Sequence, residues 1–328
     1  MPGFPAWVLV AVPPFISILL ARIVAYWSQA MVFAKGWTRH DIFRLAWWRT
    51  LSSTVPLLML AIGIDAVFNM SPLGLLWMSC AGVTMLFATA RLRRAEGINF
   101  RPVKSGELYK RSVVMSKRMG VRLRRVCVVP FGRGRLTNAY SGWGEIAITD
   151  DYGHWLHGSQ LDFVIGHELA HAKQKHGLKA LLTMTGVFAA LAAVTFVIPP
   201  MAAGWRIVFN FCVLLLPVAT FNALSRYFEY AADRASVALT GGAEVAIRTL
   251  ITMYRHSEVP TENSGIEDLF STHPGLWRRV NAIARGAQIS AQEVSKLRRD
   301  FNQRRGARAV VTVEISPLHS LTLPNVNA

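Results

Sequence analysis

Long apolar stretches alternate along the chain with segments rich in Arg and Lys. Five stretches come close to the roughly 20 apolar residues that cross a bilayer as a helix: about 4–27, 51–68, 73–90, 181–198 and 205–224. They predict a mainly α integral membrane protein with three N-terminal transmembrane helices and a later transmembrane helical hairpin. A buried hairpin in a soluble core is the plainer alternative for the last two, but their near absence of charge favours the membrane. Between these stretches the periodicity changes. Segment 105–119 places Leu108, Val113 and Met115 among basic residues, which predicts an exposed helix ended by Gly120. Segment 121–129 alternates apolar and basic residues with a mismatch at Arg124-Arg125, which predicts a strand with a bulge. A turn over 130–134 and a second strand over 145–149 complete a small sheet. Ser159 followed three residues later by Asp162 has the spacing of a capping box, so a helix should start near Gln160.

Composition fits the membrane reading. Hydrophobic residues make up 52% and charged residues 17% of the chain. The net charge of +17 raises nucleic acid as a partner, but the aromatic residues lie mostly in the apolar stretches and not among the basic ones. Basic residues flanking apolar spans follow instead from the positive-inside rule and from attraction to anionic headgroups of the lipid bilayer. Arg22, Lys35, Arg39, Arg44 and Arg49 surround the first connection, and Arg91, Arg93 and Arg94 follow the third stretch. Residues 69–72 carry no Lys or Arg, and only Arg206 lies near residue 202. This distribution places the N-terminus outside and 28–50, 91–178 and 225–328 in the cytoplasm. The first stretch lacks the basic leader and cleavage site of a secretory signal. Cys80, Cys127 and Cys212 have no metal-type spacing and predict no disulfide framework.

The most informative residues are His167-Glu168-Leu169-Ala170-His171, on the helix expected from residue 160. Two histidines at i and i+4 share one helical face, with Cβ atoms about 5–6 Å apart. Zinc favours such nitrogen ligands. Glu168 lies off that face and is placed to take a proton from water at an open coordination position. The pattern arises by chance in roughly one chain in a hundred of this length.

A third ligand is still required. Glu229, on the segment that follows the fifth apolar stretch, is the candidate. Asp233, one turn later, is placed to accept a hydrogen bond from a ligand imidazole and fix its tautomer. Taken alone, Glu229 and Asp233 read more simply as surface ion pairs with Arg226 and Arg234. His176 reads as a polar residue near the membrane surface, His154 and His157 as structural or solvent-facing, and Tyr227 and Tyr230 as packing residues.

With these segments in order, residues 45 to 285 resemble the HtpX-type membrane metallopeptidases, relatives of the CAAX prenyl endoproteases. The resemblance rests on Thr137-Asn138-Ala139-Tyr140, on His167 to His171, on Glu229-Tyr230-Ala231-Ala232-Asp233, and on Thr272-His273-Pro274 with Arg279 six residues beyond His273. It implies a gluzincin-like α+β catalytic domain with a small β-sheet, interrupted by the transmembrane hairpin. One zinc ion per chain would be held by His167, His171 and Glu229. Asn138 would lie beside an edge strand that binds substrate backbone, and His273 and Arg279 would stabilise the tetrahedral oxyanion. Substrates would be membrane or misfolded proteins, in quality control at the bacterial cytoplasmic membrane, with the site facing the cytoplasm. Departures from the family are three expected spans before the catalytic domain instead of two, and a basic extension after Arg285.

The expected organisation is therefore 1–90, N-terminal membrane region; 91–178, first catalytic segment; 179–224, hairpin; 225–288, second catalytic segment; and 289–328, a basic, partly disordered tail. Within the tail, 292–308 would lie against the membrane. A catalytically silent membrane scaffold is the competing reading, although a structural metal site has no use for Glu168. A transporter is disfavoured because the spans hold almost no ionisable residues.

Overall fold

Three helices lead the chain in a computed structural model that describes residues 6–32, 38–68, 73–95, 100–129, 139–142, 144–150, 152–197, 203–256, 261–262 and 270–314. They are α1 (Ala6–Val32), α2 (Arg39–Phe68) and α3 (Leu73–Ala95). Helix α2 begins well before its apolar part because Thr38 and Asp41 cap it reciprocally. The Asp41 N–H donates to Thr38 Oγ1 at 3.1 Å, and the Thr38 N–H donates to the Asp41 carboxylate at 3.1 Å. Among the described residues no helix is long and apolar enough to cross a membrane. The five expected crossings are thus helices here without being shown as spans. Large apolar side chains nevertheless stand open to the surroundings along them, among them Val83, Leu181, Val197 and Trp205.

The remainder is mainly helical around a small sheet. Its elements are β1 (Arg101–Val103), α4 (Gly106–Met119), β2 (Arg125–Val129), β3 (Ala139–Gly142), β4 (Glu145–Thr149), α5 (Tyr152–Trp155) and α6 (Ser159–Lys173). Then follow α7 (His176–Val197), α8 (Ala203–Thr240), α9 (Ala243–His256), α10 (Leu276–Gly286) and α11 (Ala291–Glu314). The strands run in the order β1-β2-β4-β3, with β2 and β4 parallel and the outer pairs antiparallel. Val126, Cys127 and Val129 of β2 and Ile146, Ala147 and Ile148 of β4 are buried, as suits two central strands. This leaves β3 on one edge, against α6.

Four local expectations need correction. The first strand does not run over 121–129 with a bulge; it starts at Arg125, so the Arg124-Arg125 mismatch marks its beginning. There the Arg124 N–H donates to the Gly144 carbonyl at 2.7 Å. Helix α4 is not simply exposed, because Ser112, Met115, Ser116 and Met119 are buried on the side that meets α6. Gly120 does end it, in the left-handed conformation (φ 70°). The capping box expected at Ser159 is absent: Gly158 is the cap residue, and Asp162 instead accepts from Arg111 of α4 at 2.9 Å. Lastly, the basic segment 292–308 is not held by the membrane alone, because it belongs to a helix with one face docked on the protein. Ser290 and Glu293 cap α11 reciprocally, Val294 and Phe301 are buried, and Phe301 meets Trp277 edge-on at 5.7 Å. Residues 130–134, 69–72 and 315–328 lie outside the described residues.

Helix α6 is the centre of this packing. Phe163, Ile165 and Leu169 join Leu250 of α9 and Leu276 and Val280 of α10 in one buried cluster. Helix α8 crosses α6 closely at Gly166, where a Cβ would stand 2.6 Å from Ser236 Oγ. Ser236 in turn donates to the Phe163 carbonyl at 2.7 Å. Glycine is therefore required at the residue before His167, and the close crossing brings α8 within reach of the imidazoles.

Candidate metal centre

The i,i+4 geometry of α6 brings His167 Nε2 and His171 Nε2 to 3.2 Å. Across the α6–α8 crossing, Glu229 Oε2 lies 3.5 Å from His167 Nε2, and Glu229 Oε1 lies 3.6 Å from His171 Nε2. Two nitrogen lone pairs and a carboxylate converging in a buried space repel one another unless something positive sits between them. Ligands about 2.05 Å from a tetrahedral zinc ion stand about 3.3 Å apart. The nitrogen–nitrogen separation matches that spacing and the two carboxylate separations, one to each Glu229 oxygen, come close to it, so His167, His171 and Glu229 together could hold a metal ion.

Charge balance leads to the same answer. Glu168, Glu229 and Asp233 are buried beside the buried guanidinium of Arg279. With all three ionised and both imidazoles neutral, as metal ligands must be, the carboxylates exceed the guanidinium by two negative charges, the charge of one divalent ion; without an ion, a proton on His167 offsets one of them. Arg279 is fully engaged. Its Nε and Nη2 donate to Asp233 at 2.8 and 2.6 Å, and its Nη1 lies 3.2 Å from Glu229 Oε2. Burial alone would raise the pKa of Glu229 and of Asp233, yet the Arg279 charge overrides it and holds both below the usual carboxylate range. Burial would likewise lower that of His167, but the Glu229 charge and the Asp233 hydrogen bond push it up to about 10. In His171, burial and the neighbouring His167 charge depress it to about 3, leaving that ring neutral. The centre attracts a positive charge to the point where the two Nε2 atoms meet.

Asp233 takes the place expected for it: its Oδ1 lies 3.0 Å from His167 Nδ1 and selects the tautomer with a free Nε2. The simpler reading, surface pairs with Arg226 and Arg234, is replaced. Glu229 and Asp233 are buried and pair with Arg279, while Arg226 donates to the Ser271 carbonyl at 2.8 Å. Glu168 is buried on α6, where burial raises its carboxyl pKa against the opposing effects of His167 and of a Ser141 hydrogen bond from β3. His273 is 59% exposed on the solvent side of Glu229, with Nδ1 3.2 Å from Oε1. Asn138 lies outside the described residues, immediately before β3.

Sequence reasoning missed three neighbours. His176 is buried, with Nδ1 2.8 Å from His171 Nδ1, so it packs directly against the second imidazole. Gln174 holds the far side of that ring at 3.0 Å. Tyr254 of α9 donates to the Pro274 carbonyl at 3.1 Å and tethers the loop that carries His273. Only His176 left a signal in the sequence, as a third histidine five residues beyond His171.

Comparison with known proteins matches residues 104–287 to the model of peptidase family M48. A protease HtpX homolog of Salinibacter ruber is 27% identical over 259 residues, covering 68% of this chain and 84% of that protein. A protease HtpX homolog of Moorella thermoacetica is 30% identical over 176 residues, covering 43% of this chain and 58% of that protein. Among solved structures, S. mikatae Ste24p is similar at 20% identity with a TM-score of 0.44, over 70% of this chain and 62% of that one.

Proposed function

Because the chain belongs to peptidase family M48 and is HtpX-like, we propose that it is a zinc-dependent endopeptidase with His167, His171 and Glu229 as the ligands. The observation that carries this reading is the convergence of those three side chains at metal-ligand spacing, in a buried centre rich in carboxylates. A zinc ion bound there supplies a Lewis acid that polarises a carbonyl and lowers the pKa of water toward 7.

The chain's own residues do the rest. Glu168 takes a proton from the attacking water as the water oxygen bonds to the scissile carbonyl carbon. It then passes that proton to the departing amide nitrogen as the C–N bond breaks, leaving an amine and a carboxylic acid whose remaining proton is lost to water. His273, exposed beside Glu229, is the group placed to face charge on the tetrahedral oxygen. Arg279 is spent on Asp233 and Glu229, so its role is to position the ligands, not to touch substrate. The edge strand β3, preceded by Asn138, is suited to hold an extended peptide by strand addition. The Ser141–Glu168 contact puts that edge next to the general base. A silent scaffold would have no need of this arrangement.

We assign the enzyme to the bacterial cytoplasmic membrane, with the centre facing the cytoplasm and membrane or misfolded proteins as substrates. Apolar stretches flanked by basic residues support this, as do the open apolar side chains of α3, α7 and α8. Alkaline phosphatase fused near residue 202 should be active and a fusion after residue 230 inactive; the opposite pattern would sink the topology.

The enzymatic reading is tested by casein cleavage with the purified full chain. Cleavage should cease when the metal is chelated and return on adding one equivalent of zinc. Cleavage that persists in a metal-free preparation would overturn it.

A further inference from the structure

Residues five apart on one α-helix point about 140° away from each other, so His171 and His176 would not meet if α6 continued. The helix instead stops at Lys173, Lys175 adopts the left-handed conformation (φ 53°), and α7 restarts at His176. This turn folds the His176 ring back to within 2.8 Å of His171, Nδ1 to Nδ1. The ring also lies flat on Phe228, 4.1 Å away at 9° between planes, and its Nε2 is 3.0 Å from Gln174 Oε1. The Gln174 amide is itself oriented, since its Nε2 donates to the Ala231 carbonyl at 3.4 Å.

Proton positions follow from what each atom can do. Gln174 Oε1 only accepts, so His176 Nε2 carries the hydrogen. A neutral imidazole has one N–H, which makes His176 Nδ1 an acceptor and His171 Nδ1 its donor. His171 is then left with a bare lone pair on Nε2, the atom that faces His167 and Glu229. We propose that His176, set by Gln174, is a positioning residue that holds His171 in its metal-binding tautomer and orientation. It does for His171 what Asp233 does for His167, and the assignment rests on the metal-centre reading above. The two braces differ in charge for a reason. A second carboxylate in place of His176 would add a negative charge to a centre whose buried charges already match one divalent ion.

The test compares two variants of the full chain. His176→Phe keeps a ring against Phe228 but offers no acceptor; His176→Asn restores an acceptor near the position of Nδ1 but gives up the ring. Zinc affinity is read by competition with a chromophoric chelator, and ligand geometry by the visible spectrum of the Co(II)-substituted protein. The Phe variant should lose about 10- to 100-fold in zinc affinity and change the Co(II) spectrum. The Asn variant should recover most of both. Wild-type affinity and spectrum in the Phe variant, or equal losses in the two, would overturn the positioning role. Failure of the wild-type chain to take up zinc would overturn the metal-centre reading instead, and the positioning role with it.

Discussion

Replacing Glu168 with Gln should lower peptide hydrolysis by about 10²- to 10⁴-fold while the zinc ion stays bound. The substitution keeps the size of the side chain and removes its capacity to accept a proton. Glu168 is not among the three residues that converge on the metal position, so His167, His171 and Glu229 retain their spacing. The Ser141 contact survives in form, since an amide oxygen accepts a hydrogen bond as a carboxylate oxygen does. The measurement pairs kcat on a casein substrate with zinc content per chain. Full activity in the variant would exclude Glu168 as the base. Loss of zinc together with activity would show that the carboxylate serves the metal and not the water.

Replacing Arg279 with Met should have the largest effect on stability. The guanidinium uses Nε, Nη1 and Nη2 on two carboxylates, and all three side chains are almost fully buried. Removing one partner of such a buried arrangement leaves uncompensated charge and costs about 3–5 kcal/mol. In a catalytic domain of this size that corresponds to a fall in the unfolding midpoint on the order of 10 °C. The effect should be read on metal-free protein, because a divalent cation would offset part of the exposed negative charge. Arg279→Lys should recover only part of the loss, since an ammonium cannot form the same fork. The comparison separates two roles. If Arg279 acted on the oxyanion alone, its removal would lower kcat and leave the midpoint where it was.

The parts of the centre written into local sequence were the parts legible in it. Histidines four apart on one helix share a face whatever the rest of the chain does, so His167 and His171 were identifiable at once. Glu229 and Asp233 were recognisable as a pair one turn apart, but not their partner. The nearest cations in sequence are Arg226 and Arg234, while the one that matters is Arg279, brought in by the packing of α10 against α8. His176 was visible as a residue, but its contact with His171 was not. A helix continued through residue 176 would have turned it away, and nothing in Gln174-Lys175 announces a left-handed turn at a lysine. Capping shows the same limit. Ser159 and Asp162 have the right spacing, but Asp162 is drawn to Arg111 from another helix, whereas Thr38–Asp41 and Ser290–Glu293 form the motif, Asp41 doing so while it also pairs with Arg44 of its own helix.

Helix α8 has one more consequence. It is a single helix from Ala203 to Thr240, so the apolar stretch ending near residue 224 and the carboxylate of Glu229 belong to one rod. At a rise of about 1.5 Å per residue, Glu229 stands only about 8 Å along the axis beyond residue 224. If α8 crosses the bilayer as proposed, that rod acts as a ruler. It fixes the height of the scissile bond above the lipid surface, so chains would be cut in a narrow band about a nanometre from the headgroups. Tilting the rod would move the third ligand and the cutting height together.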